Sequence, residues 1–263
     1  MTRISNLSST KGLLRCAAYA LSPNVLHYCG PKSSEPGVYK KHLEEYLQKF
    51  ETLFPYLKLI AKASGIRDPF DERVVEAYWL GNNLLNMVSM NDIYRTLVDE
   101  HHLKNKLSLK MQKLAFEKIP LGAKPHHSFH VLNIFIRTGH DAVKHTIKTM
   151  DSCRIAYGRI VTASEAKQSL SKHQGIATVA SGDLAMTIRY RPLIYKEKKL
   201  QFGERQHKII KDEIKGQAIV PNLKAGDLVS FHWGMVCEKI TNKQAKNLNL
   251  WTKYHLNLAN LSF

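Results

Sequence analysis

The residues best suited to chemistry crowd into positions 125 to 158. Pro125-His126-His127-Ser128-Phe129-His130 is followed by Arg137-Thr138-Gly139-His140 and then by Asp151-Ser152-Cys153-Arg154-Ile155-Ala156-Tyr157-Gly158. With His145 between, the stretch holds five of the thirteen histidines and one of the four cysteines. Imidazole and thiolate are donors that zinc and iron accept. A helix opened by Pro125, whose missing N–H is harmless in a first turn, and running to about Arg137 places His126 and His130 on one face. That four-residue spacing lets an H-x-x-x-H pair grip one transition metal. No Glu follows the first His, so the pattern is not the H-E-x-x-H of zinc proteases.

Further along, Cys153 and His232 add a thiol and another imidazole, and the cationic neighbour Arg154 favours the thiolate form that binds metal. The candidate ligand set is therefore Cys153, His232, His126, His130, His127 and His140, with iron or zinc as the ion. His127, His140 and His145 join only where the fold returns them to the others. The competing reading is structural: histidines that cap, hydrogen-bond or face solvent, and a cysteine that acts as a small buried hydrophobe.

The elements that must position these groups change character near residue 150. Before it, helical spacing prevails. Residues 11–21 suit a short helix that Pro23 would prevent from continuing, and a Gly-, Pro- and Ser-rich loop follows from His27 to Gly37. His27 and Cys29 alternate there as a weak H-x-C pair. Leu43, Tyr46, Leu47, Phe50, Leu53 and Phe54 mark one face of a helix over 38–54, and Pro55 starts another that stops near Gly65. Asp68-Pro69-Phe70-Asp71 sets up a helix start with Val74, Val75, Tyr78, Trp79, Leu85 and Val88 as its buried stripe. A further helix runs from Asn91 through Leu114, and His101-His102 within it reads as a surface pair.

After Cys153, β-rich runs over 154–161, 184–195, 207–214 and 228–236 are separated by turn signals. They predict a small β-barrel, closed off by a helix over 242–259. Residues 162–181 interrupt it, flanked by the similar tetrapeptides Val161-Thr162-Ala163-Ser164 and Thr178-Val179-Ala180-Ser181. This segment reads as an inserted loop that the fold tolerates. The expected class is thus α+β: an all-helical domain over 1–150, then a small β-barrel with a C-terminal helix over 151–263.

Composition narrows the function classes. The net charge of +17 is spread along the chain, with 21 basic and 13 acidic residues up to position 150 and 18 against 9 beyond it. Such an excess attracts anionic surfaces without specificity, whereas nucleic-acid readout needs a recognisable motif. Four scattered cysteines without a C-x-x-C pair predict a reducing, cytoplasmic setting rather than a disulfide scaffold. Arg15 interrupts the apolar stretch that would make the N-terminus a signal peptide. No window reaches the ~18 apolar residues of a spanning helix, so a soluble protein is expected. There is no nucleotide-cofactor motif.

Two segments resemble a known family. Cys153-Arg154-Ile155-Ala156-Tyr157-Gly158-Arg159-Ile160 is similar to the C-x-x-x-x-G-[KR]-[VI] opening of the HypC/HupF hydrogenase-assembly chaperones. Gly226-Asp227-Leu228-Val229-Ser230-Phe231-His232-Trp233-Gly234 with Glu238-Lys239-Ile240 resembles their G-D-x-V-x-x-H-x-G-x-x-x-E-K-[IL] segment, and the helix carrying Ala245 follows in place. The resemblance implies an OB-like barrel with a terminal helix, in which Cys153 and His232 handle an iron centre passed to another protein. The whole chain also resembles a prokaryotic family of unknown function that joins this barrel to a helical domain bearing P-H-H-S-F-H-V and R-T-G-H.

Three function classes follow. The favoured one is a metal-binding accessory or metallocentre-maturation protein with a Cys/His site at the domain junction, its partner a metalloenzyme or assembly factor. The second is a thiol- or metal-dependent enzyme with Cys153 as nucleophile, His232 or His130 as base and Asp151 orienting it. The third is a basic OB-like RNA-binding protein stacking bases on Tyr157, Phe231 and Trp233.

Overall fold

A computed structural model of the chain describes residues 2–25, 42–134, 146–162, 185–214 and 217–261. The first part is helical: α1 (Thr2–Val25), α2 (Leu43–Gln48), α3 (Leu53–Ala63) and α4 (Glu72–Trp79), a 3-10 turn (Asn83–Met87), α5 (Met90–Arg95) continuing into a π turn (Thr96–Glu100), then α6 (Leu103–Lys106) and α7 (Leu109–Phe116). Short polar side chains set several starts. Asp71 accepts the Arg73 N–H at the head of α4, and Ser89 and Ser108 accept backbone N–H groups from Asp92 and Met111 at the heads of α5 and α7. The expected stripe of Val74, Val75, Tyr78, Trp79, Leu85 and Val88 is buried.

Several expected helices are shorter or longer than their periodicity predicts. α1 runs through Pro23 to Val25 instead of stopping before the proline. Only the last turn is involved, where a lost backbone bond matters least. The helix that starts at Glu72 breaks at Gly81, whose φ is +85°, and a Cβ there would lie 2.1 Å from Cδ1 of Trp251. Glycine is required by both the left-handed backbone and the close approach of the C-terminal helix. The helix expected from Asn91 is broken by left-handed His102. His101 is buried, not superficial, because its ring packs 4.4 Å from that of Tyr56.

Next come α8, only three residues long (His127–Phe129), a π turn over His130–Ile134, and α9 (Ile147–Cys153). Thr146 and Thr149 form a reciprocal capping box at the head of α9, and Cys153 is its final residue.

The strands are β1 (Ala156–Ile160), β2 (Ala185–Tyr190), β3 (Leu193–Lys196), β4 (Lys199–Phe202), β5 (Gln206–Lys211), β6 (Glu213–Ile214), β7 (Gln217–Ala218), β8 (Leu228–His232) and β9 (Met235–Lys239). Pairing in the main sheet runs β1-β2-β5-β9-β8, and β8 returns to pair with β1; β5 and β9 share a single parallel pair, Lys211 with Met235. Pairs β3-β4 and β6-β7 stand apart as two-stranded ribbons. The run 228–236, which reads as a single strand, is a hairpin, and β3 and β4 form a second hairpin, whose turn the run 184–195 stops short of. Trp233 and Gly234, and likewise Glu197 and Lys198, all have positive φ, as a two-residue turn of primed type requires. Of the proposed insertion, residues 162–181, all but Thr162 lie outside the described residues, but β1 and β2, which it separates, are antiparallel neighbours.

The C-terminal helix α10 (Asn242–Asn260) opens with a Thr241/Gln244 capping box and buries Leu248, Trp251, His255, Leu256 and Ala259. The largest core joins Cys16, Tyr19 and Trp79 of the helical region to Ile155, Cys237, Ile240 and Trp251 of the second half. That shared core brings residues far apart in the chain to the site. Among the described residues no helix is long and apolar enough to cross a membrane.

Candidate metal centre

Three elements meet at one point. α8 supplies His127, the last residue of α9 supplies Cys153, and the last residue of β8 supplies His232. One donor atom from each lies within 4.8 Å of the other two, a His/Cys/His group able to hold a metal ion. The Trp233-Gly234 turn secures the juxtaposition. Turning the chain directly after His232 points the Trp233 N–H at the Ser152 carbonyl, 2.8 Å away, and so ties the hairpin to the residue before Cys153.

Hydrogen bonds assign the imidazole nitrogens. His232 Nδ1 is 2.9 Å from the Tyr19 carbonyl, and His127 Nε2 is 2.9 Å from the Cys153 carbonyl. A carbonyl can only accept, so each of these nitrogens carries the hydrogen, and the lone pairs fall on His232 Nε2 and His127 Nδ1. Imidazole N–H held by a main-chain carbonyl is the usual support of a metal-ligating histidine. His127 Nδ1 meets the Tyr78 hydroxyl at 3.1 Å. An ion at that nitrogen must displace the hydroxyl, and one at Nε2 must displace the carbonyl.

Around the donors stands an aromatic wall. The Trp79 ring is 4.7 Å from His127 and 5.9 Å from His232, and it stacks on Tyr19 at 5.1 Å. Both histidines are buried, while Cys153 is half-buried and marks the outward side. Burial, and then the neighbouring His232, pushes His127 well below the ordinary histidine range. Its ring is therefore neutral, the form that ligates. Behind His232, Tyr19 OH donates to Glu238 Oε1 at 2.7 Å, and Arg15 reaches Glu238 and Glu76 at 3.1 and 3.2 Å.

The structure separates the other expected ligands from this group. His126 has extended backbone and caps α8 rather than lying in it, so it shares no helical face with His130. Its Nδ1 bonds Ser128 Oγ at 2.7 Å, and the same oxygen meets His255 Nδ1 at 2.8 Å. Burial pushes His126 down to about 3. His130 opens the π turn and faces the rings of Tyr56 and His101, 6.3 and 6.4 Å away. His140 and His145 lie outside the described residues, as do His27 and Cys29.

Asp151 orients no imidazole. Its Oδ1 takes Arg154 Nε at 2.9 Å and the Leu193 N–H at 2.8 Å, and its Oδ2 takes the Tyr190 hydroxyl at 3.1 Å. The acid–base relay of a thiol enzyme is therefore not assembled there. As a stacking platform, Phe231 is unsuited because it is 1% exposed in the sheet core, and Trp233 lies in the turn beyond the strand rather than on the same side as Phe231.

Sequence reading did not find Tyr19 or Tyr78. Tyr19 contributes a main-chain carbonyl, which leaves no mark on residue identity, and Tyr78 was one more apolar position in a stripe.

The fold and site define a mixed α+β protein with a His/Cys/His group where helices meet sheet. The chain belongs to DUF6390, a family of unknown function that it matches over residues 8–263. No curated protein and no solved structure matches it, so the likeness to the HypC/HupF chaperones finds no support there.

Proposed function

We propose that this chain is a metal-binding accessory protein whose ion is held by His127, Cys153 and His232. One observation carries the reading: three donors from three separate elements converge within 4.8 Å. The carbonyl-anchored imidazoles add support, because their hydrogen bonds fix ring orientation and tautomer before any ion arrives. Imidazole and thiolate donors suit zinc or iron. In this reading the ring of five strands is a small OB-like barrel, the 1–150 and 151–263 segments are units that each supply ligands, and His126, His130 and His140 are not needed. The half-buried sulfur gives the ion a side from which another protein, a metalloenzyme or assembly factor, takes it up or supplies it.

Elemental analysis of untagged protein tests the proposal, with Co(II) substitution as a spectroscopic check for sulfur ligation. One equivalent of metal is expected in the wild type, and affinity falling at least ~100-fold in Cys153→Ala and in His232→Ala, more than the usual loss of a supporting partner. Cys153→Ser, which keeps the volume, guards against misfolding. Undiminished metal in Cys153→Ser and His232→Ala, or none in the wild type, overturns it.

A further inference from the structure

Lys208 sits on β5, two residues from buried Ile210 and so on the same, inward side of the strand. Its ammonium lies over two aromatic faces, 5.2 Å from the centre of Tyr190 and 5.5 Å from that of Phe231. Lysine stems usually carry the charge out to water, and an ammonium drawn into a protein is usually paired. Among the described residues Lys208 has no carboxylate within ion-pair distance. The carboxylate whose field it feels, Asp151, is saturated by Arg154, the Tyr190 hydroxyl and the Leu193 N–H. Arg154 and Lys148 add positive charge to the field at Lys208. Burial, rather than those cations, is the largest influence lowering the Lys208 amine from its usual range. The rings hold the ammonium through their quadrupoles but supply no net negative charge.

We propose that a small oxyanion, the carboxylate or phosphate group of a small molecule, binds against Lys208 on the inner side of β2 and β5, with Lys148 and Arg154 contributing field. This site is independent of the metal centre and stands if that centre fails.

Thermal unfolding of the full chain in inorganic phosphate, in acetate and in sodium chloride at matched ionic strength tests it. Phosphate at a hundredfold excess over its dissociation constant should raise the midpoint by about 5 °C over chloride. The shift should vanish in Lys208→Met and Lys208→Gln and persist in Lys110→Ala, an exposed lysine on α7. A shift with phosphate alone assigns a phosphate ligand, and one with acetate also assigns a carboxylate. A reading without variants is amine acylation of the wild type followed by peptide mass mapping, in which phosphate should slow labelling of Lys208 selectively. No ion-specific shift, a shift that survives Lys208→Met, or unprotected Lys208 overturns the proposal.

Discussion

His126 with Ser128 and His255, and His127 with Cys153 and His232, are two buried imidazole groups that begin one residue apart. In the first, the two rings share one side chain: Ser128 Oγ stands 2.7 and 2.8 Å from their Nδ1 atoms, and both Nε2 atoms are buried. In the second, each imidazole is anchored to a main-chain carbonyl from another segment, Tyr19 for His232 and Cys153 for His127. These two rings stand beside a half-buried sulfur, with one donor atom of each of the three residues within 4.8 Å of the others. The difference teaches that burial and histidine count do not make a ligand site. What matters is the third donor: the second group adds a thiol to its two rings, and the first only a hydroxyl.

Breaking the Ser128-centred group should reveal a structural role only. Ser128→Ala deprives two buried imidazoles of their shared partner and should destabilise the protein by about 1–3 kcal/mol, read by chemical denaturation, with metal content unchanged. Loss of metal in that variant would mean the two groups are one site.

Acid should act through histidines outside the proposed centre as well as through His127. Burial is the largest influence pushing both His101 and His255 well below the ordinary range. With a folded pKa depressed below the unfolded ~6.5, each contributes stability that is fully present above pH ~6.5 and declines as pH falls, by up to ~1.4 kcal/mol per pH unit. Denaturation between pH 7 and 5 should show this slope, flattened by about one histidine's share in His255→Gln. An unchanged slope would show that His255 takes up no proton on unfolding.

The smallest expected effect sharpens the assignment inside the metal group. Tyr78→Phe removes the hydroxyl facing His127 Nδ1, so competition titration should show metal affinity rising about 2–10-fold if that nitrogen ligates, less than the ~10–100-fold that supporting partners exert. No change points to Nε2, and a large fall would make the hydroxyl a necessary support.

The strands other than β4 and β7, together with α10, were legible because alternation and three-to-four spacing record which face is buried. The hairpins at Trp233-Gly234 and Glu197-Lys198 were not, since neither Trp233 nor Glu197 is a residue that announces left-handed backbone. Cys153 and His232 were visible as donor types in a resemblance, yet their choice of His127 over His126 and His130 was not. Regular spacing assumes a continuous helix, and His126 lies before the helix while His130 enters a π turn. Membership of the group depends on the Trp233 contact with Ser152, a tertiary bond that no local pattern encodes.

The atom steadying His232 at Nδ1 belongs to the peptide backbone of α1. Sequence drift at position 19 can change the phenol and its links to Glu238, but any amino acid inserted there still offers the same carbonyl. Only unwinding or clipping the leading helix would take it away, so the integrity of a segment more than two hundred residues upstream governs how that imidazole is aimed.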